Sequence, residues 1–379
     1  MLPPLDRYRL ENANDLLTPA LLIYPEIVDA NIAATIRMAG NDPNRWRPHI
    51  KTAKIPAIVE LMMAHGVLQF KCSTTLELLV ACQSGAEDVL LAFPVMGANA
   101  ARVKEIAARY PGTSVSVLVE DAQQAAVWKN SGIGLFIDVN SGMDRTGIDP
   151  KRAGEILALA QELGLQFRGV HFYDGHMSGI PAAEREQHAH EGYGRLIQLI
   201  QRLEASGIHV PEVITSGTPA APYAISYSPF RDADFLHRIS PGTVVFNDTT
   251  SLEQLPGYGY QLAVVVLSTV ISRPKAAIIT CDAGHKSVSA DAGVPTCAVL
   301  DHPNWKPLKP SEEHLPIEIS EGAAPKLGEK IYLIPRHVCP TVNNFDEAVF
   351  VVRGRVQSTA PVAARGHESA LRTVAAISA

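Results

Sequence analysis

The chain lacks three things that would each have named a class of protein. It has no paired cysteines: Cys72, Cys82, Cys281, Cys297 and Cys339 form an odd, scattered set of five without a CxxC. That excludes a disulfide framework and leads us to expect a reducing, cytoplasmic setting. It has no Lys/Arg-rich run, and its net charge is −6. Nucleic acid and anionic membranes are therefore not expected as partners. It has no apolar run of the roughly 18 residues that a membrane span needs. The first ten residues are proline-containing and charged, without the apolar centre of a secretion signal. What remains is an ordinary globular composition, 46% hydrophobic and 19% charged over 379 residues, enough for one large domain or two.

The first part of the chain repeats a rhythm of short apolar run, turn and amphipathic helix. Strands are expected at residues 20–24, 46–50, 68–72, 88–92, 114–119, 134–139, 167–172, 212–215 and 235–239. Helices are expected at 25–38, 53–65 with Thr52 as N-cap, 75–83, 98–110, 121–131, 150–163, 181–206 and 219–226. The strands are apolar without alternation, as in parallel strands buried on both faces. About eight or nine such units over roughly 230 residues suit a TIM-like (β/α)8 barrel better than an open, doubly wound sheet. After Asp248 the helices stop, and strands are expected at 261–271, 276–281, 296–300, 317–319, 330–335, 348–352 and 355–358. This reads as a mostly antiparallel β domain. We therefore divide the chain into a barrel at 16–250 and a β domain at 251–379, with 251–259 as linker and residues 1–15 packing on the β domain. The tail, 359–379, is small and polar and is expected to be partly mobile.

Chemistry-bearing residues gather after the barrel strands. Arg-Pro-His-Ile-Lys-Thr-Ala-Lys, residues 47–54, puts Lys51 at the end of the first convincing strand, the rim where barrels keep their chemistry. A lysine there can form an imine with an aldehyde cofactor when its surroundings leave the amine free. Alone, a lysine in such a place is far more often a surface lysine. DVNSGMDRTGI at 138–148 presents Arg145, whose fork can hold a phenolate, carboxylate or phosphate. GVHFYDGH at 169–176 carries His171 and Tyr173 on one side of a strand, followed by His176. TSGT at 215–218 and SPGTVVFN at 240–247 offer Ser216, Gly217, Thr218, Gly242 and Thr243, a pattern suited to phosphate at the end of a barrel. In the second half, His337-x-Cys339 would share one face of an extended segment. Imidazole plus thiolate suits Zn²⁺, and two ligands leave open positions, as a catalytic metal requires. A core cysteine beside an unrelated histidine is the plainer alternative. DAGHKSVSAD at 282–291 and SEEH at 311–314 read as polar loops.

Taken together and in this order, RPHIKTAK, DVNSGMDRTGI, the Gly/Ser/Thr loops, DAGHKSVSAD, SEEH and HVCPTVNNFD at 337–346 resemble the D-threonine aldolase/D-serine dehydratase family over roughly residues 16–355. The resemblance implies an alanine racemase-like fold, fold type III among pyridoxal phosphate enzymes. It implies Lys51 as the cofactor lysine, Arg145 holding the phenolic oxygen and Tyr173 lining the cofactor. The loops at 216–218 and 242–243 would be the phosphate cup. His337 and Cys339 would be ligands of a divalent metal, Zn²⁺ first and Mn²⁺ or Mg²⁺ next, near the β-hydroxyl of a D-configured amino acid. It also implies a homodimer. The run Pro340–Asn343 resembles the aldolases, whereas Cys339 resembles the dehydratases, since the aldolases usually carry Asp there. The aldolases also tend to have a histidine shortly after the YxG element, where this chain has Gly179; His176 is the nearest substitute as the β-hydroxyl base. Retro-aldol cleavage to glycine and an aldehyde is the first expectation. Elimination to a keto acid and ammonia is the second, and racemisation a third. A small pyridoxal-phosphate-carrying barrel is a poorer fit, because this chain has a β domain.

Overall fold

The computed structural model describes residues 3–320 and 322–370. Its first sheet is built from short strands of Val, Ile, Leu and Phe, side chains whose branching and bulk suit a surface buried on both faces. After strand β1 (Ala20–Ile23) come β2 (Gln69–Cys72), β3 (Asp88–Leu91), β4 (Ser114–Val119), β5 (Gly134–Asp138), β6 (Phe167–Phe172), β7 (Glu212–Thr215) and β8 (Leu236–Ile239). Strands β2 to β8 pair in sequence order, all parallel, with helices on the connections. The two edges of this seven-stranded sheet are not free. Residues 46–50 lie between them: Trp46 bridges Ile239 and His49 bridges Lys71, both parallel. Arg47 N–H donates to Ile239 O at 2.9 Å, and Lys71 N–H to Pro48 O at 2.9 Å. This segment is the eighth stave, so the expected barrel is formed.

Strand alternation orders the barrel interior in layers. At the N-terminal ends of the strands, Arg47, Asp88 and Glu212 meet in an ion network. Two residues on from Asp88 and Glu212 lie Leu90 and Ile214, which form a small buried cluster with Leu118 and Phe136. Two residues beyond Phe136 is Asp138, level with His171. The interior is thus ionic at the bottom, apolar in the middle and polar again beneath the mouth.

Several local expectations change. The helix expected from Ala53 begins at Pro56, with Ile55 as its N-cap. Proline is favoured in the first helical turn and holds the residue before it extended, while Lys54 turns left-handed at φ 54°. Thr52 therefore caps nothing, and its hydroxyl is available elsewhere. The expected linker opens with a helix, Thr249–Gln254, because the Asp248 side chain accepts from Ser251 N–H at its start.

The second sheet adds β9 (Val264–Lys275), β10 (Ile278–Cys281), β11 (Cys297–Val299), β12 (Lys306–Pro307), β13 (Leu315–Glu318), β14 (Lys330–Pro335), β15 (Glu347–Val352) and β16 (Arg355–Pro361). It is antiparallel except where β1 runs parallel to β15. Strand β1 thus belongs to this sheet, paired with β9 on its other side. The N-terminal residues rest on the same sheet: Tyr8 Oη donates to Leu262 O at 2.8 Å and Leu10 N–H to Tyr332 Oη at 3.0 Å. Of the tail, residues 359–361 complete β16, and residues 371–379 lie outside the described residues.

Candidate active site

The site lies at the C-terminal ends of the barrel strands. Lys51 follows the closing stave, and its N–H donates to His49 Nδ1 at 3.2 Å. The second lysine of the same motif has a different fate. Lys54 is buried, its Nζ 2.7 Å from Glu77 and 3.1 Å from Ala364 O, so it is a structural clamp. Tyr173, at the end of β6, is fixed through its carbonyl, which accepts from Ser141 Oγ at 2.6 Å. Arg145 Cζ lies 4.9 Å from the centre of the Tyr173 ring and Lys71 Nζ 5.2 Å from it. Both are within cation–π range. Gly217 lets the ring lie close: a Cβ there would stand 3.0 Å from it. Lys51, Arg145 and Tyr173, expected to meet, thus share the mouth with Lys71, which sequence reasoning missed.

The two loops after β7 and β8 carry unpaired donors. Ser216 Oγ, Ser240 Oγ and both amide atoms of Asn247 are buried without a hydrogen-bond partner. Ser216 also holds a left-handed φ of 59° and Asn247 one of 60°. Buried polar groups without partners are costly, and strained backbone is kept where a ligand uses it. Gly242 presses against the closing stave, where a Cβ would stand 2.2 Å from His49 O. The orphaned donors fit a bound phosphate, and the excess of positive side chains around Tyr173 fits an anionic cofactor. Ser240 and Asn247 join the expected cup residues, which the runs at 215–218 and 240–247 had only outlined.

The His337/Cys339 segment departs from expectation in shape. Only His337 is extended; Val338–Asn343 is helical, so the two side chains are not alternate residues of a strand. They are still near enough for each to perturb the other's titration. The segment is tied to the barrel by Asp248, which accepts from Val338 N–H at 2.9 Å, and by Thr250 Oγ1, which donates to Arg336 O at 2.8 Å. Cys339 Sγ lies 3.0 Å from Thr52 Oγ1 and 3.4 Å from Thr243 Oγ1. Burial raises the Cys339 thiol, but His337 and Lys51 outweigh it and hold it below its usual range. His337 Nδ1 is 2.6 Å from Asp291, the carboxylate–histidine pairing that orients metal-binding imidazoles. No cluster of three or more His, Cys, Asp or Glu suited to a metal occurs among the described residues. A cation held by this pair alone would keep open positions, unlike one in a closed structural site.

His176 sits in the turn after Tyr173. Burial lowers its basicity, and its buried Nδ1 has no hydrogen-bond partner. It lies near the loop of Arg145: a Cβ on Gly142 would stand 3.8 Å from its Nε2. Beside that loop opens a cavity of about 500 Å³, lined by Ser141, Gly142, Asp144, Arg195 and Arg202 among others. The polar segments 282–291 and 311–314 pack on each other through Lys286, which pairs with Glu312 at 2.7 Å.

Residues 23–249 match the family model "Alanine racemase, N-terminal domain", and residues 263–351 match a serine dehydratase domain model. Over 363 residues the chain is 28% identical to the D-threonine aldolase of Arthrobacter sp, covering 92% of this chain and 93% of that one. Over 372 residues it is 28% identical to the 3-hydroxy-D-aspartate aldolase of Paracoccus denitrificans (strain Pd 1222), with 93% of each chain covered. The crystal structure of D-threonine aldolase from Filomicrobium marinum is similar at a TM-score of 0.84 and 28% identity, covering 93% of this chain and 96% of that one. With a barrel that carries this mouth and a β domain that reaches into it, the chain belongs to the alanine racemase N-terminal domain family, within the aldolase and dehydratase group of fold type III pyridoxal phosphate enzymes.

Proposed function

We propose that the protein is a pyridoxal-phosphate- and divalent-metal-dependent lyase of D-β-hydroxy amino acids, with retro-aldol cleavage to glycine and an aldehyde as its reaction. One observation carries this reading: the Cys339 thiol lies between Thr52, beside Lys51, and Thr243, in the candidate phosphate cup. The proposed metal pair and the proposed cofactor lysine therefore serve one substrate.

In this reading Lys51 holds the cofactor, Arg145 orients its phenolic oxygen and Tyr173 covers its ring. Ser216, Gly217, Thr218, Gly242 and Thr243 hold its phosphate, with Ser240 and Asn247 behind them. Pyridoxal phosphate supplies an electron sink beside the substrate's α-carbon. His337 and Cys339 would hold the cation, Zn²⁺ by donor type, where it would supply positive charge to the β-oxygen. His176 then decides the outcome. As a neutral base it takes the β-hydroxyl proton, and the Cα–Cβ bond breaks. If Lys51 takes the α-proton instead, the β-hydroxyl leaves and elimination follows. Cys339 and the serine dehydratase domain match favour that second reading. Arg145 is exposed and His337 half-buried at the mouth, which suits cover by a second copy, so we read the protein as a homodimer.

The test is a product assay. Purified protein with pyridoxal phosphate and Zn²⁺ is given D-threonine, D-serine and 3-hydroxy-D-aspartate. Acetaldehyde and glycine from D-threonine are expected; pyruvate and ammonia from D-serine would favour the dehydratase. His337→Ala should lose bound metal, and unchanged metal content would sink the ligand assignment. Protein that takes up no pyridoxal phosphate would overturn the whole reading.

A further inference from the structure

We propose that Lys71, backed by His171 and Asp138, is a second amine of the active site: a positioning residue that stores a proton beneath the cofactor cleft and so sets the charge at Lys51. The proposal rests on the pyridoxal phosphate reading above.

Lys71 is a charged residue in a strand whose four positions are all buried. Its neighbours Phe70 and Cys72 pack outward into the main core, so alternation turns Lys71 into the barrel. There its Nζ lies 3.3 Å from His171 Nε2. His171 Nδ1 lies 2.7 Å from Asp138 Oδ1, and Asp138 Oδ2 has no partner. The three groups form a line from β2 through β6 to β5, with Lys71 Nζ 5.2 Å from the centre of the Tyr173 ring. His171 and Tyr173 stack nearly parallel, 10° apart, with centres 6.5 Å from each other.

A lysine buried only for structure looks different. Lys54 sits directly on a carboxylate, 2.7 Å from Glu77. Lys71 meets its carboxylate only through an imidazole, so its proton is held loosely. The groups that face it are mostly cationic or neutral: Lys51 and His49 on the closing stave, Arg145 on the loop after β5, His171, Tyr173 and Asp174 on or after β6, Asp138 on β5, and Arg47 below. Burial first, and then the charge of Lys51, push Lys71 down to about 7. Near neutral pH it can therefore carry a proton or release it. The charge on Lys71 acts on Lys51 as Lys51 acts on Lys71, because the Coulomb interaction is mutual.

The experiment is a pH titration of the bound cofactor's visible absorbance in the holoenzyme, compared across wild type, Lys71→Met, Lys71→Arg and His171→Gln. Without the positive charge of Lys71, the protonated form of the bound chromophore should persist to higher pH. The midpoint in Lys71→Met should rise by about one pH unit. In Lys71→Arg, where the charge is permanent, it should stay or fall. Lys71→Gln serves in place of Lys71→Met if that variant does not fold. Full cofactor content with midpoints that agree within about 0.2 unit in all variants would overturn the proposal, because a packing role moves stability but not this titration. If the wild type binds no pyridoxal phosphate, the functional reading fails separately. The buried proton is then judged in the apoprotein: a higher Tm for Lys71→Met at pH 7 that converges with wild type by pH 10 supports it, and a pH-independent difference overturns it.

Discussion

Two buried polar layers share the barrel interior, separated by Leu90, Leu118, Phe136 and Ile214. In the lower one, Arg47 donates to Asp88 at 2.8 and 3.0 Å and to Glu212 at 3.0 and 3.1 Å. Arg238 adds a contact to Glu212 at 2.6 Å and Arg168 one to Asp88 at 3.5 Å. In the upper one, Lys71 touches an imidazole, and Lys51 and Arg145 add charge without adding a carboxylate. Burial is alike in both; pairing is not. Burial works against the Arg47 charge, but Glu212 and Asp88 more than offset it and hold the guanidinium further into its charged range. Burial lowers Arg238, although a guanidinium has far to fall. Lys71, with the same burial and no such pairing, falls to about 7. A barrel keeps its ions where it needs rigidity and loosens them where it needs protons to move. The lower layer is at the end that barrels use for stability, and the upper at the end where they carry their active sites.

The largest effect should come from breaking the lower layer. Arg47→Met leaves the buried Glu212 and the half-buried Asp88 with less than their full set of partners. Removing one member of a buried ion pair costs about 3–5 kcal/mol. Urea unfolding at pH 7 should show a loss of that order. A loss under about 1 kcal/mol would mean that the layer is no more than a surface pair in energy.

The same kind of substitution in the upper layer should have the opposite sign. Lys71→Met removes a charge that burial disfavours and keeps most of the side-chain volume. The sign follows from proton counts. Below about pH 7 folded and unfolded chains both carry the Lys71 proton, and the cost of the buried charge is present in full. Between about 7 and the ordinary lysine value of 10.5 the unfolded chain binds more protons, so wild type gains stability as pH rises. Lys71→Met apoprotein should therefore be more stable near pH 7, on the order of 2–4 kcal/mol, with the gap closing toward pH 10. Denaturant unfolding across that range is the measurement. A variant less stable than wild type at pH 7 would erase the contrast between the layers.

This contrast also marks how far sequence reading reaches. The strands at 114–119 and 167–172 were legible because period and residue type are local. Lys51, Arg145, Tyr173 and the pair His337/Cys339 stood out as candidates because each follows a strand or a distinctive spacing. The link from Arg47 to Glu212 spans 165 residues and exists only once barrel register is set. Lys71 did carry a local signal, a charge within an apolar run expected to be buried on both faces. Its meaning depended on His171 and Asp138, which other strands supply. The helix at Pro56 was misjudged because Thr52 looked like a cap; the proline decided the start and freed Thr52 for Cys339. The helical turn at Val338 was hidden because His-x-Cys is compatible with either geometry.

The smallest effect probes a carboxylate that has donors but no cation at hydrogen-bond distance. Asp174 accepts from Tyr193 Oη at 2.7 Å and from Gly217 N–H at 3.3 Å. Burial raises it to about 6. Between about 4 and 6 the folded chain holds a proton that the unfolded chain has released, so this group makes stability fall as pH rises through that window. Tyr193→Phe keeps the ring among Phe172, Tyr227 and Phe230 and removes only the hydroxyl. The lost hydrogen bond should cost about 1–2 kcal/mol. Because that bond favours the carboxylate, Asp174 should move still higher, and the cost should be larger at pH 8 than at pH 5. Equal costs at both would mean that Asp174 is already anionic at pH 5, and that donors alone can hold a buried charge in the upper layer as the arginines do in the lower.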